Sequence, residues 1–449
     1  MLVEVVPRQK IGKLSSLSLV YGFAGLIILG TVLLLLPVSG QHRQATSVIN
    51  ALFTATSAVC VTGLTVVDTT GHWSPFGQAI ILALIQIGGF GFMASATIFL
   101  LFSGRRISLR EKLLIGESMG LSHMGGLLKL VKQMAIFAFV AEAAGSFIFF
   151  FSFSGDNSLG AKAWKAVFHS VSAFNNAGFD LFVGSRSLLD YQKDIVVLIT
   201  TAILIILGGI SFLVLADIVK TRRFYRLSLD SKLVLYSTFT LLVIGMTVIL
   251  LTEFNDPDTL GSLSLHLKLV NSFFQSVTAR TAGFSTINMA DSANYALFVT
   301  MLLMFIGGAS GSTAGGIKVN TFGILAATAW GTIRGNEHAG AFGREFTNQQ
   351  IFRALTLTML SLALTSIIVF SLTITEGFNF INILFETVSA FGTVGLSTGI
   401  TADLSVIGKI LITITMFTGR LGPLALVLAL TQFQKAARYR YPAESIRIG

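Results

Sequence analysis

Four short stretches of this chain join an apolar, Ser/Thr-containing run to a closing glycine. They read FTATSAVCVTG (53–63), FHSVSAFNNAG (168–178), FQSVTARTAG (274–283) and FETVSAFGTVG (385–395). A glycine lets the chain leave a helix and turn its carbonyls to one side, because it adopts left-handed or extended backbone without steric cost. Four such segments around one axis make a ring of main-chain oxygens, the arrangement that replaces the water shell of an alkali cation. The oxygens would come from Val61, Thr62 and Gly63, from Asn176, Ala177 and Gly178, from Thr281, Ala282 and Gly283, and from Thr393, Val394 and Gly395. Their side chains differ widely, which suits a site made of backbone. Each short helix would also aim the negative end of its dipole at the axis.

The elements that must position these segments are membrane helices. The chain has 449 residues, 53% of them hydrophobic and 12% charged, and a soluble domain carries about twice that charge. Stretch 196–218 holds one charge, Asp217, and about 20 apolar residues suffice to cross the hydrocarbon. The lipid bilayer is therefore a partner. One cysteine, Cys60, excludes a disulfide framework and a cysteine metal cluster. The six histidines have no metal-ligand spacing. No nucleophile–base pair points to an enzyme. The net charge of +10 would suit nucleic acid in a soluble protein. Here the basic residues lie between apolar runs, so membrane orientation explains them and nucleic acid is not expected.

The closing glycines are separated by 115, 105 and 112 residues, and a repeat of this length decides the architecture. The units run 1–112, 113–226, 227–345 and 346–449. Each opens with an apolar span (17–38, 127–154, 231–253, 352–375). The short stretch follows, then a second apolar run (75–103, 195–219, 295–330, 405–432). The short stretch cannot cross a bilayer, and irregular backbone at membrane depth must line a water path or be buried in protein. The expected fold is an all-α polytopic membrane protein. Four tandem membrane–pore-helix–membrane units stand in a pseudo-fourfold arrangement around a single pore, with eight full spans and four re-entrant pore loops.

Charge sets the orientation. Arg105, Arg106, Arg110, Lys112, Lys220, Arg222, Arg223, Arg226, Arg334, Arg344, Lys435, Arg438 and Arg440 share one side with both termini, which predicts the cytoplasm. Arg8, Lys10 and Lys13 precede a run too long for a signal peptide, so it reads as the first span. Asp68, Asp156, Asp180, Asp190, Asp194, Glu253, Asp256, Asp258, Asp291 and Asp403 fall on the other side, where they would concentrate cations.

Glycine pairs mark three second runs: 88–89, 208–209 and 307–308. Small residues let membrane helices approach closely or bend. The third pair continues as Gly307, Gly308, Ala309, Ser310, Gly311, Ser312, Thr313, Ala314, Gly315, Gly316, Ile317 and Lys318, too rich in glycine for a stable mid-membrane helix. A broken helix with a flexible loop below the carbonyl ring is expected. A phosphate loop is excluded, because Ile317 stands where its lysine is required. Arg420 lies inside the last apolar run, where an arginine is costly. It could hold the loop closed through the loop's carbonyls and act as a barrier to cations. Arg280 should point behind the ring to a carboxylate, with Glu386 and Glu142 both open as partners.

The four motifs, the 307–318 stretch and Arg420, in this order, resemble the Trk/Ktr/HKT superfamily of potassium transporters over essentially the whole chain. The likeness is to its Ktr-type membrane subunits. The resemblance implies potassium uptake across the plasma membrane, with potassium as the only metal and held at the filter residues named above. It implies a gate formed by 307–318 and Arg420. It also implies a homodimer with one pore per subunit, resting on a cytosolic RCK-type, KtrA-like regulatory ring. That ring would bind ATP or ADP, with no covalent cofactor on this chain, and sodium would stimulate uptake. In related plant members a serine at the first filter glycine goes with sodium transport; all four positions here are glycine, which favours potassium. The competing reading is a ten- to twelve-span secondary carrier for a small cation or solute. It would need the short stretches to span, although they contain Asn175 and Asn176, or Arg280.

Overall fold

The computed structural model describes residues 8–43, 45–91, 127–154, 158–184, 186–336 and 338–422. The first repeat runs through α1 (Arg8–Leu35), α2 (Val48–Val59), the single turn α3 (Thr69–His72) and α4 (Pro75–Phe90). The second holds α5 (Leu127–Ser152), α6 (Leu159–Phe174), α7 (Ile195–Gly209) and α8 (Phe212–Thr221). The third holds α9 (Leu229–Glu253), α10 (Leu265–Thr278), α11 (Asn294–Phe305) and α12 (Val319–Ile333). An antiparallel ribbon of β1 (Gly340–Ala341) and β2 (Arg344–Glu345) leads into α13 (Asn348–Thr375), α14 (Phe380–Gly392) and α15 (Val406–Leu421) of the fourth.

Local chemistry fixes most helix starts. Ser47, Ser74, Ser158, Asp194, Ser228 and Ser405 each accept a bond from a backbone amide of the first turn, satisfying a donor that the helix itself leaves open. Thr347 and Gln350 form a full capping box at the start of α13.

The short helices α2, α6, α10 and α14 are the hub. Each packs on the long helix before it: α1, α5, α9 and α13. Each also meets a helix of a neighbouring repeat. α4 packs on α6, α7 on α10, α11 on α14, and α15 returns to α2, so the contacts close a circle. Phe53, Phe168, Phe274 and Phe385, which open the four motifs, are all fully buried. In lipid this packing rests on van der Waals contact, because the tails are as apolar as the side chains.

The second apolar runs depart from expectation. Each contains a helix that stops partway: α4 at Phe90, α7 at Gly209, α11 at Phe305 and α15 at Leu421. A break was expected only in the third. The cause is local. Gly91 and Gly422 follow α4 and α15 with φ of +80° and +84°, and Ser211 starts a new helix after Gly209 by capping Leu213. α7 and α8 meet at 94°. Among the described residues, Lys129–Ser152, Leu229–Glu253 and Asn348–Thr375 are continuous helices with the length and apolarity of a span, and the 28-residue α1 carries the first apolar run. The bent pair α7 and α8 is a further span if counted as one. Residues 92–103 and 423–432 of the predicted runs lie outside the described residues, as do Arg105, Arg106, Arg110, Lys112, Asp156, Lys435, Arg438 and Arg440.

The glycine pairs do both things small residues permit. A Cβ on Gly88 would strike the Val59 carbonyl, one on Gly208 the Phe174 carbonyl, and one on Gly419 the Phe391 carbonyl. α4, α7 and α15 therefore each lie directly against the end of their own repeat's short helix.

Candidate functional site

The short helices end in one unusual turn. In repeats one, two and four the amide of the residue before the glycine bonds back five residues: Thr62 to Ser57, Ala177 to Ser172 and Val394 to Ser389, each at 2.8 Å. The amide one residue earlier bonds the next carbonyl along: Val61 to Ala58, Asn176 to Ala173 and Thr393 to Ala390. These paired bonds are a Schellman closure, whose left-handed position is usually glycine. Here that position is Val61, Asn176 or Thr393, with φ of +50°, +57° and +50°. In repeat three, one residue shorter, Thr281 has φ +71°. A β-branched residue there is a genuine outlier, and such backbone costs about 1–3 kcal/mol per residue. The same left-handed turn in all four repeats, on a β-branched residue in three of them, marks a site rather than an accident.

The glycine comes two residues later, also left-handed: Gly63 at +92°, Gly178 at +69°, Gly283 at +78° and Gly395 at +95°. The four lie together. A Cβ on Gly63 would stand 2.6 Å from the Ala177 carbonyl and 2.9 Å from the Gly178 Cα. One on Gly178 would be 2.9 Å from the Ala282 carbonyl and 3.3 Å from the Gly283 Cα. One on Gly283 would strike the Val394 carbonyl, 3.1 Å from the Gly395 Cα. One on Gly395 would strike the Thr62 carbonyl, 3.0 Å from the Gly63 Cα. The glycines thus form a closed ring in chain order, with the carbonyls of Thr62, Ala177, Ala282 and Val394 set against it. Those four residues are fully buried, and among the described residues none of the four carbonyls accepts a hydrogen bond. Buried carbonyls need a partner, and a dehydrated cation is one.

The motif serines and threonines brace the ring. Ser57 and Ser389 hydroxyls accept the amides of Gly63 and Gly395, both at 3.1 Å. Thr278 donates to the Phe284 carbonyl at 2.6 Å. On one side the ring opens into a cavity of 320 Å³ lined by residues of all four repeats, among them Thr65, Asp180, Ser285, Asn288 and Ser397. Burial pushes the Asp180 carboxyl up to about 7; nearby Asp68 adds to this, while the Phe182 amide and Lys165 oppose it.

On the other side lies the loop 306–318. It is irregular, as expected, and its backbone is tied to the ends of α7 and α15. Ala309 donates to the Gly209 carbonyl at 3.0 Å, Thr313 to Gly208 at 3.3 Å and Gly316 to Gly419 at 3.3 Å. Its neck closes through Gly307 to the Ile317 carbonyl at 2.8 Å and Val319 to Gly308 at 3.0 Å. Ser310 donates to Asn320 at 2.9 Å, Ser312 caps Ala309 at 2.7 Å, and Lys318 folds back onto the Ala314 carbonyl. Arg420 donates to the Thr313 carbonyl in this loop and to the Gly88 and Gly89 carbonyls. A cavity of 240 Å³ adjoins it, lined in part by Gly311, Thr313, Lys318 and Arg420.

Arg280 does not take the expected carboxylate partner. It donates to the Gly307 carbonyl at 2.8 Å and, more weakly, to that of Thr238 at 3.4 Å. The carboxylates are satisfied elsewhere by neutral donors. Glu142 accepts from Gln86 at 3.0 Å and Asn175 at 3.1 Å, and Glu386 from Ser397 at 2.9 Å and from Thr401. Sequence reasoning did not find these two networks, nor the left-handed residues two before each glycine. Only Asn176, of a type that tolerates this conformation, carried a signal for the latter.

Known proteins resemble this chain over nearly its whole length. A family model described as TrkH, cation transport protein, matches residues 18–437. The chain is 40% identical over 431 residues to the Ktr system potassium uptake protein B of Bacillus subtilis, covering 96% of each. It is 40% identical over 456 aligned positions to the potassium/sodium uptake protein NtpJ of Enterococcus hirae, covering 100% of each. The crystal structure of the potassium transporter TrkH from Vibrio parahaemolyticus shares the fold. Its TM-score is 0.68 over 91% of this chain and 85% of that one, at 18% identity.

Proposed function

The chain belongs to the TrkH family of cation transport proteins, and from that premise we propose that it takes up potassium through a carbonyl-lined filter closed from below by a loop. One observation carries the reading: the closed ring of Gly63, Gly178, Gly283 and Gly395, with unpartnered buried carbonyls set against it. Oxygens fixed by strained turns can replace a hydration shell without reorganising. The four short helices end at the ring and add the negative ends of their dipoles.

In this reading the four repeats are membrane–pore-helix–membrane units in pseudo-fourfold array around one pore. Val61 to Gly63, Asn176 to Gly178, Thr281 to Gly283 and Thr393 to Gly395 form the filter. Residues 307–318 and Arg420 form the gate. The protein lies in the plasma membrane with both termini in the cytoplasm, as a homodimer with a pore in each subunit. A cytosolic RCK-type ring binding ATP or ADP sets the gate, a proposal supported by a relative named as part of a Ktr system. Sodium belongs in the assay as competitor and as stimulant, because another relative is named a potassium/sodium uptake protein.

The test is uptake of rubidium against sodium into liposomes holding the purified protein, with and without its ring partner. Rubidium uptake in preference to sodium, enhanced by the ring, is expected. Uptake of neither ion, or of an organic solute in their place, would remove the proposal.

A further inference from the structure

The third filter segment differs from the others three residues before its glycine. Cys60, Asn175 and Gly392 are uncharged there, and Arg280 is not. The turn itself does not need the charge, because Cys60 and Gly392 precede the same left-handed residue. Arg280 is 7% exposed, and no carboxylate lies within ion-pair distance of it among the described residues. A buried guanidinium is retained at a cost, so its hydrogen bonds must explain it.

The stronger bond goes to the Gly307 carbonyl at 2.8 Å. Gly307 is where the chain leaves α11 for the loop, and its own amide closes the loop's neck on Ile317. Thr238, the weaker acceptor, sits on α9. The guanidinium therefore points away from the ring and spans from a filter segment to the root of the loop. Two more contacts run along the same seam. A Cβ on Gly307 would lie 3.1 Å from the Thr281 methyl, and one on Gly315 would strike the Thr393 side chain. Thr281 and Thr393 are two of the strained residues. The loop's glycine backbone thus passes directly against the filter's lower edge.

We propose that Arg280 is a positioning residue that couples the filter to the loop. The loop cannot swing aside without withdrawing the main acceptor of a buried guanidinium, so loop position and filter geometry are linked. This rests on the filter-and-gate reading above. Arg280 itself never touches the ion.

The test is the rubidium-to-sodium uptake ratio in liposomes for Arg280→Met, Arg280→Lys, a deletion of 309–315, and the deletion combined with Arg280→Met. Only variants that run monodisperse on gel filtration are scored. Loss of one hydrogen bond from a charged group predicts a fall in the ratio of about tenfold for Arg280→Met. The deletion, which leaves the filter sequence intact, should lower the ratio by a similar factor. The combined variant should be no worse than either alone, since both break one linkage. Arg280→Lys, which keeps the charge and a donor, should fall between wild type and Arg280→Met, and it remains informative if the methionine variant does not fold. Losses that multiply, or a ratio unchanged in the Arg280 variants, overturn the coupling. Failure of the filter reading itself has a different signature: Gly283→Ser would then leave the ratio at the wild-type value.

Discussion

Arg420 donates a hydrogen bond to the carbonyl of Thr313, 107 positions earlier in the chain. Its second terminal nitrogen reaches Gly88 and Gly89, at the break of α4. One side chain of the fourth repeat thus clamps a loop of the third against a helix end of the first. Bonds from charged donors are worth about 1.5–3 kcal/mol each. Arg420→Ala should raise rubidium flux without the ring by about tenfold or more, and deletion of 309–315 should do the same. Wild-type or lower flux from folded protein would remove the gate from this loop.

The filter prediction follows from the ring's closeness. Gly63 has φ +92° and a would-be Cβ 2.6 Å from the Ala177 carbonyl. Gly283 has φ +78°, and its Cβ would strike the Val394 carbonyl. A side chain at either place must displace a neighbouring repeat's oxygen. Gly63→Ser and Gly283→Ser should each weaken discrimination of rubidium over sodium in competition uptake. Equal competition curves for variant and wild type would count against the ring as the selective element.

The ring was legible in the sequence because its signal is a repeat: each motif is weak alone, and four in register are specific. The loop was legible because glycine density forbids a helix. The helix breaks at Phe90, Gly209 and Leu421 were not. A glycine pair serves close packing and bending alike, and here it does both, as Gly208 shows by lying against Phe174 one residue before α7 ends. The partners of Arg280 and Arg420 were also beyond reach, because a backbone carbonyl leaves no mark on composition. Glu386 and Glu142 looked like counter-ions by residue type alone; their donors are the neutral Ser397, Thr401, Gln86 and Asn175.

Close approach can be tested against a neighbour-free glycine. A Cβ on Gly208 would strike the Phe174 carbonyl, whereas one on Gly25, in α1, would meet nothing within 4 Å. Gly208→Ala should destabilise by about 1–3 kcal/mol through overpacking. Gly25→Ala should be neutral or gain up to about 1 kcal/mol from helix propensity. Thermal unfolding in detergent reads both. A Gly208→Ala variant as stable as wild type would mean that α7 and the end of α6 are not in contact.

In the proposed orientation the cavity beside the ring faces outward, and it predicts a pH dependence. Asp180 lines it together with Gly178, and burial holds its carboxyl at about 7, well above an ordinary aspartate. It is therefore mostly protonated at external pH 6 and mostly ionised at pH 8. Ionised, the carboxylate attracts a cation in the cavity by about 1 kcal/mol even at the screening of bulk water, a factor of about five. Apparent affinity for rubidium should tighten by up to that factor as pH rises from 6 to 8, and Asp180→Asn should flatten the profile at its low-pH value. The stability effect has the opposite sign. The folded state holds a proton that the unfolded chain releases near pH 4, so this group's contribution to stability is lost as pH rises from about 4 to 7. Asp180→Asn, which cannot ionise, should lack that decline in thermal unfolding. A variant whose uptake keeps the wild-type pH profile would place the titrating group elsewhere.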